Sequence, residues 1–264
     1  QPVMKIVVLA KHVPDATADR GFGEDLTTDR AGVDSILSEL DEYAIEEALK
    51  VSDAGDGEVV VMTMGPEQAV EAVRKGLQMG ADAGVHVLDD AIHGSDALAT
   101  SALLAAAVRK VGDVDLVITG MASTDGGMSV VPAMLAERLG LPHLGFVGEL
   151  TVGDGTVTGR RDGDVASETV EASLPAIVSV TDQINEPRYP SFKGIMAAKS
   201  KPLDVKALAD IGADAGQVGQ DAATAIMYEF TERPPKQAGT IVEDDGSGAA
   251  AAQLADWLVE RKFV

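Results

Sequence analysis

The chain has 264 residues, with 43 acids against 21 bases and a formal charge of −22. It has no cysteine, which excludes a disulfide scaffold, a cysteine-ligated zinc or iron–sulfur centre and a thiol nucleophile. The acidity argues against nucleic-acid binding, which needs a basic surface. No apolar run approaches the roughly 20 residues that span a bilayer, and the N-terminus lacks a signal-peptide pattern. A soluble, cytoplasmic protein without membrane insertion is expected. So dense an acidic surface repels itself until salt screens it, so a high-salt (halophilic) cytoplasm is expected too.

Met4 is expected to be the native start, with Gln1-Pro2-Val3 ahead of it. Lys5 to Ala10 is a continuous apolar run, as in a buried parallel strand. His12 to Val33 is rich in Pro, Gly and Asp and reads as loop. Ser38 to Ser52 predicts a helix, with Leu40, Tyr43, Ala44, Ala48 and Val51 at helical spacing. Glu58 to Met64 predicts a second strand. Gly65-Pro66 then turns into a helix carrying Val70, Val73, Leu77 and Met79. Gly84 to Leu88 predicts a third strand. Ser95 or Asp96 caps an alanine-rich helix ending near Val111. Val114 to Thr119 predicts a fourth strand, followed by a glycine-containing loop and a helix from Ser129 to Leu139.

Strand–helix alternation with short connections predicts an α/β fold: an open, mainly parallel, doubly wound sheet. Such sheets bind ligands beyond the carboxyl ends of their strands, where strand order reverses. The loops after the first, second and fourth strands should therefore converge. After Pro142 the period changes. Phe146 to Val152, Thr156 to Arg161, Ser167 to Ala172 and Ala176 to Val180 are short strand-like runs between Gly-Asp turns. Beyond Lys199 no strand–helix unit is complete. The expected division is a nucleotide-binding α/β domain over 1–198 and a C-terminal arm over 199–264, closing in an amphipathic helix from about Gly248 to Lys262.

Two segments carry candidate chemistry. Gly120-Met121-Ala122-Ser123-Thr124-Asp125-Gly126-Gly127 ends a strand and opens a helix. Glycines admit an anion close to the backbone, and a helix N-terminus offers free amides. It is neither a P-loop nor a GxGxxG, and an ordinary tight turn has the same look. The second segment is Asn185 to Lys206. Between Arg188 and Lys206 five bases face one acid, Asp204, and Tyr189, Phe192, Ile195 and Met196 lie among them. Exposed aromatic anchors beside basic residues suit a docking surface; a helix entry packed inward is the alternative. The four histidines have no metal-ligand spacing, and His86, inside a strand, reads as a satisfied core residue. No nucleophile elbow or carboxylate pair stands out, so no catalytic residue and no metal site are assigned.

KIVVLAKHVPD, DEYAIEEALK, VVVMTMGPEQA, VDLVITG, PAMLAERLGLP and above all NEPRYPSFKGIMAAK occur in one order along nearly the whole chain. In these segments the chain resembles the electron transfer flavoprotein beta subunits. The resemblance implies a non-enzymatic electron-carrier subunit in a heterodimer whose alpha subunit holds the redox FAD. It also implies acyl-CoA or related dehydrogenases as donors and a quinone oxidoreductase-type acceptor. Ordinary members hold AMP on beta; flavin-bifurcating members hold a second FAD there. A stand-alone nucleotide-binding stress-type protein is a further alternative.

Carried over by position, the AMP pocket would comprise Leu9, Ser38, Glu39, Leu40, Asp41, Met64 and the run from Gly120 through Asp125, Gly126, Gly127, Met128, Ser129 and Val130 to Val131. Adenine would lie against Leu9, Leu40 and Met64, with phosphate on backbone amides from Asp125 onward. The recognition loop, 185–199, would dock dehydrogenases through Arg188, Tyr189, Phe192, Lys193, Ile195 and Met196, with Phe192 as anchor. Arg161 and Asp162 match positions on the flavin side of beta.

Overall fold

The structure, a computed structural model, describes residues 3–264; Gln1 and Pro2, ahead of the expected start, lie outside the described residues. The central sheet is built from β1 (Met4–Leu9), β4 (Gly57–Met64), β5 (Ala83–Val87), β6 (Leu116–Gly120), β7 (His143–Val147), β11 (Ala176–Val180) and β12 (Leu203–Lys206). Its seven strands run in the order β12-β5-β4-β1-β6-β11-β7, and every pairing is parallel. The expected doubly wound α/β sheet is the observed one.

The apolar runs become strands because both faces of the sheet are covered. Ile6, Val8, Val59, Val61, Leu116 and Ile118 face one core with α1 (Glu39–Ala54) and α2 (Val70–Met79). Val7, Leu9, Val60, Met62 and Val117 face the other with α3 (Ala97–Val111) and α4 (Val131–Leu139). Each fully buried aliphatic side chain contributes about 1.5–3 kcal/mol, so continuous apolar strands suit only a two-sided sheet. Asp96 caps α3 by accepting from the Ala99 amide at 3.0 Å. β1 neighbours both β4 and β6, so the strand order reverses between β1 and β6.

Three details depart from the sequence reading. His12–Pro14 (β2) and Ser35–Leu37 (β3) close the expected loop into a small antiparallel hairpin. The expected strand over 146–152 is two: β7 in the central sheet and β8 (Glu149–Val152) in a separate antiparallel sheet with β9 (Thr156–Asp162) and β10 (Ser167–Ser173). The break falls at Gly148, two residues after Phe146, which adopts φ +58° within β7 with its amide held by the Ser179 hydroxyl at 3.1 Å. Third, Leu203–Lys206 joins β5 as an edge strand, so the chain stays with the α/β fold past residue 199. Contacts within the chain divide it into two units after Tyr228.

The second unit, Glu229–Val264, contains α6 (Ala249–Glu260). Trp257 stacks on Phe263 at 5.7 Å and Arg261 lies 4.8 Å from the Trp257 ring. None of its residues is buried, and Ile241, Leu254, Trp257, Val259 and Phe263 are exposed. Among the described residues no helix is long and apolar enough to cross a membrane.

Candidate functional site

The crevice at the switch point is assembled by backbone. Ser38, ahead of α1, is buried; its amide donates to Lys11 O at 2.8 Å and its hydroxyl accepts from the Thr124 amide at 3.4 Å. Asp41, in the first turn of α1, accepts from the Lys11 amide at 2.8 Å and from the Gly120 amide. One carboxyl thus ties the ends of β1 and β6 to the start of α1. Gly120 must be glycine here: a Cβ would lie 2.6 Å from Asp41 Oδ1 and 2.8 Å from Leu40 O. Asp41 is 7% exposed, and burial pushes its carboxyl up to about 7 despite those amides and the Lys11 charge.

Three bases converge on the loop after β6. Lys11 Nζ and Arg30 Nη2 bind the two oxygens of Asp125 at 2.9 and 3.0 Å. Arg20 donates to Thr124 O and Pro14 O, both at 2.8 Å, and to Asp15 O at 3.0 Å. Burial works against the Asp125 charge, but the Lys11 ammonium and the hydrogen bonds from Lys11, Ser123 and Gly126 hold its carboxyl well below the usual range. Beyond Asp125, the amides of Met128, Ser129, Val130 and Val131 donate to no acceptor among the described residues. They open α4, whose first bond from outside runs from Met134 N to Val130 O. These amides stand unspent at the start of a helix, just beyond Asp125, whose carboxylate already engages Lys11 and Arg30.

Some of the expected pocket residues lie together. Ser38, Leu40, Asp41 and Gly120 touch or bond one another, and Thr124 and Asp125 join them through Ser38 and Lys11. Leu9 and Met64 both pack into the α3 side of the core. Glu39 is exposed, as is Met128, at 62%. Met121, Ala122 and Ser123 line the turn that precedes Asp125. Sequence reasoning missed Lys11, Arg20 and Arg30, because nothing in the spacing of three bases inside a loop marks a shared target 100 residues away.

The second candidate surface is built from side chains. Ser191 caps α5 (Phe192–Ala198), its hydroxyl accepting from Gly194 N at 3.0 Å. Tyr189 and Phe192 are 93% and 81% exposed, and Ile195 and Met196 are exposed beside them. The apolar residues therefore face outward. Arg188 turns the other way: its guanidinium binds Glu46 at 2.7 and 3.0 Å and Asp53 at 2.9 Å, on α1. Lys193 is exposed and has no ion-pair partner among the described residues. Arg161 and Asp162 lie on neither surface; in the three-stranded sheet Arg161 pairs with Glu168 at 2.6 Å, and Asp162 binds Arg160 at 3.0 Å and the Ser167 hydroxyl. His86 is buried, its Nε2 3.0 Å from Gly65 O.

Fold and crevice define a class first: a doubly wound α/β protein with unspent amides at the start of α4, next to its switch point, and an exposed apolar helix, α5. A family model for the electron transfer flavoprotein domain matches residues 25–211. The electron transfer flavoprotein subunit beta of Mycobacterium leprae is 46% identical over 265 residues, 98% of this chain and 99% of that one. The same-named subunit of Mycobacterium tuberculosis is 45% identical over the same shares. The caffeyl-CoA reductase-Etf complex subunit CarD of Acetobacterium woodii is 36% identical over 262 residues, 99% of this chain and 100% of that one. The chain belongs to the electron transfer flavoprotein family, on the beta-subunit side, and its role is electron transfer.

Proposed function

We propose that this chain pairs with an alpha subunit carrying FAD, relays electrons from acyl-CoA or related dehydrogenases toward a quinone oxidoreductase-type acceptor, and holds AMP in the crevice. The observation that carries the AMP reading is the row of unspent amides from Met128 to Val131 at the start of α4. A single phosphate matches that donor set, with backbone amides as its ligands. Leu9, Leu40 and Met64 supply the apolar contacts for the adenine. AMP in this place supplies no redox chemistry; the electrons pass through the flavin of the alpha subunit. This chain's own work is to hold the nucleotide, to support the alpha subunit and to dock the donor.

Docking falls to α5, whose exposed Phe192 is the anchor, with Tyr189, Ile195 and Met196 around it. The second unit, with its uncovered apolar side chains, is read as an arm lying on the alpha subunit, with Arg161 and Asp162 toward the flavin side. The surface charge is read as adaptation to a salty cytoplasm; a melting temperature that fails to rise with salt refutes that part.

A second reading, implied by the family resemblance, has the crevice hold a second FAD and the heterodimer bifurcate electrons. Flavin and nucleotide analysis of the purified heterodimer separates the two. One flavin and one AMP per heterodimer supports the first reading; two flavins and no AMP replaces it with the second.

A further inference from the structure

The basic character of the segment Arg188 to Lys206 suggests five charges facing a partner, but the structure divides them. Arg188 is spent on Glu46 and Asp53 of α1, and Asn185 beside it donates to Tyr43 O and Glu47 Oε2, both at 3.0 Å. At the other end, Lys201 Nζ donates to Leu77 O, Gly80 O and Ala81 O at 3.2, 3.1 and 2.6 Å. Those are carbonyls at the C-terminus of α2, where an ammonium is favoured and all three of its protons find acceptors. Lys206 pairs with Asp204 at 3.3 Å. Between the two anchors, Gly194 lies so close to α2 that a Cβ would sit 2.5 Å from Gln78 O. Lys193 and Lys199 remain, both exposed and without an ion-pair partner among the described residues.

We propose that Arg188 and Lys201 are positioning residues that clamp α5 at both ends onto α1 and α2, while Lys193 and Lys199 alone present charge to the partner. The inference rests on the docking reading of α5. Its physical content is preorganisation: a helix of seven residues is too short to hold itself in water, so without the clamps the partner would have to order it on binding. The partner face that fits is an apolar socket for Phe192 with carboxylates on its rim, opposite two lysines and not five bases. Rim charges act mostly on association and its salt dependence, whereas groups that fix geometry act at every ionic strength.

The test uses the heterodimer with a reduced acyl-CoA dehydrogenase as electron donor, reading KM for the dehydrogenase and kcat across a salt series. Lys193→Gln and Lys199→Gln are expected to flatten the salt dependence of KM, and the double variant to remove most of it. Lys201→Met is expected to raise KM about tenfold at every salt concentration, with slope and kcat unchanged. Lys201→Arg, which still donates to the same carbonyls, restores KM. Amide exchange in residues 192–198 speeds up in Lys201→Met while α3 and α4 keep their protection. Arg188→Gln should behave as Lys201→Met does; should it misfold through the unpaired Glu46, the Glu46→Gln/Arg188→Gln pair removes both charges and serves instead. A changed salt slope in Lys201→Met, or unchanged KM and exchange, overturns the positioning role. A failure of the docking reading itself looks different: Phe192→Ala would then leave transfer untouched.

Discussion

On the proposed function, the crevice between β1 and β6 and the helix α5 are opposite solutions to binding. In the crevice the donors are main-chain amides held by buried polar groups: Asp41 fastens two strand ends and Asp125 gathers Lys11 and Arg30. On α5 the binding groups are side chains projecting into water, and the buried polar groups beneath them only fix the helix. A site made of backbone tolerates a change of side chain but not of chain path. A site made of side chains tolerates little change at its anchor, yet loses no stability when the anchor goes.

The largest expected effect breaks the chain path. Gly120→Val drives a Cβ into Asp41 and Leu40 O and should cost about 3 kcal/mol, read as the denaturant midpoint, with AMP lost; an unchanged midpoint sinks the backbone account. Next is Phe192→Ala. Removing a central aromatic anchor should cost about 2 kcal/mol of docking, roughly 30-fold in transfer from the dehydrogenase. Its stability should move by less than about 0.5 kcal/mol, and flavin should stay bound.

Asp125→Asn should follow, at about 1–2 kcal/mol, because Lys11 and Arg30 lose their shared carboxylate. The sign with pH is fixed by the lowered folded value. The contribution is present above the ordinary carboxylate range and is lost as pH falls below it. Acid titrations of wild type and variant should therefore converge at low pH. Asp41 runs the other way. Its folded value of about 7 lies above the unfolded one, so the folded state holds the proton more tightly, and stability falls as pH rises from the ordinary range through about 7. Asp41→Asn keeps an acceptor for one amide and should flatten that slope in melting curves; a slope that persists assigns it elsewhere. The smallest effect sharpens the contrast. Met128→Ala, at the first of the unspent amides, should change stability by less than about 0.5 kcal/mol and, on the AMP reading, leave AMP content unaltered, since that reading uses its amide and its side chain is exposed.

Much of the fold was legible because burial on both faces writes itself as apolar runs. KIVVLA and EVVVMTM became β1 and β4, α1 begins just after Ser38 as the apolar spacing suggested, and Asp96, one of the two expected caps, caps α3. The breaks were harder to read. Alternation in Phe146–Val152 continues across the point where the chain changes sheets, because Gly148 permits the turn without interrupting the pattern. β12 is four residues long, and its pattern of one apolar residue in two is shared by many loops.

The candidate sites divide likewise. The glycine-bearing loop and the aromatic, basic segment are visible in the sequence because their residue types are unusual for this chain. Which of the 43 acids gathers Lys11 and Arg30, and which bases near Arg188 are free, was not visible. Apart from Lys206 and Asp204, two positions apart, these pairings join residues 95 to 142 positions apart. The sequence by itself determined the alternation of strands and helices, the position of the glycine turn and the presence of an aromatic anchor, since each follows from local periodicity and residue type. Only the tertiary structure decided the strand order, the meeting of Lys11 and Arg30 on Asp125 and the inward turn of Arg188 and Lys201. Those depend on which distant groups meet once both faces of the sheet are covered.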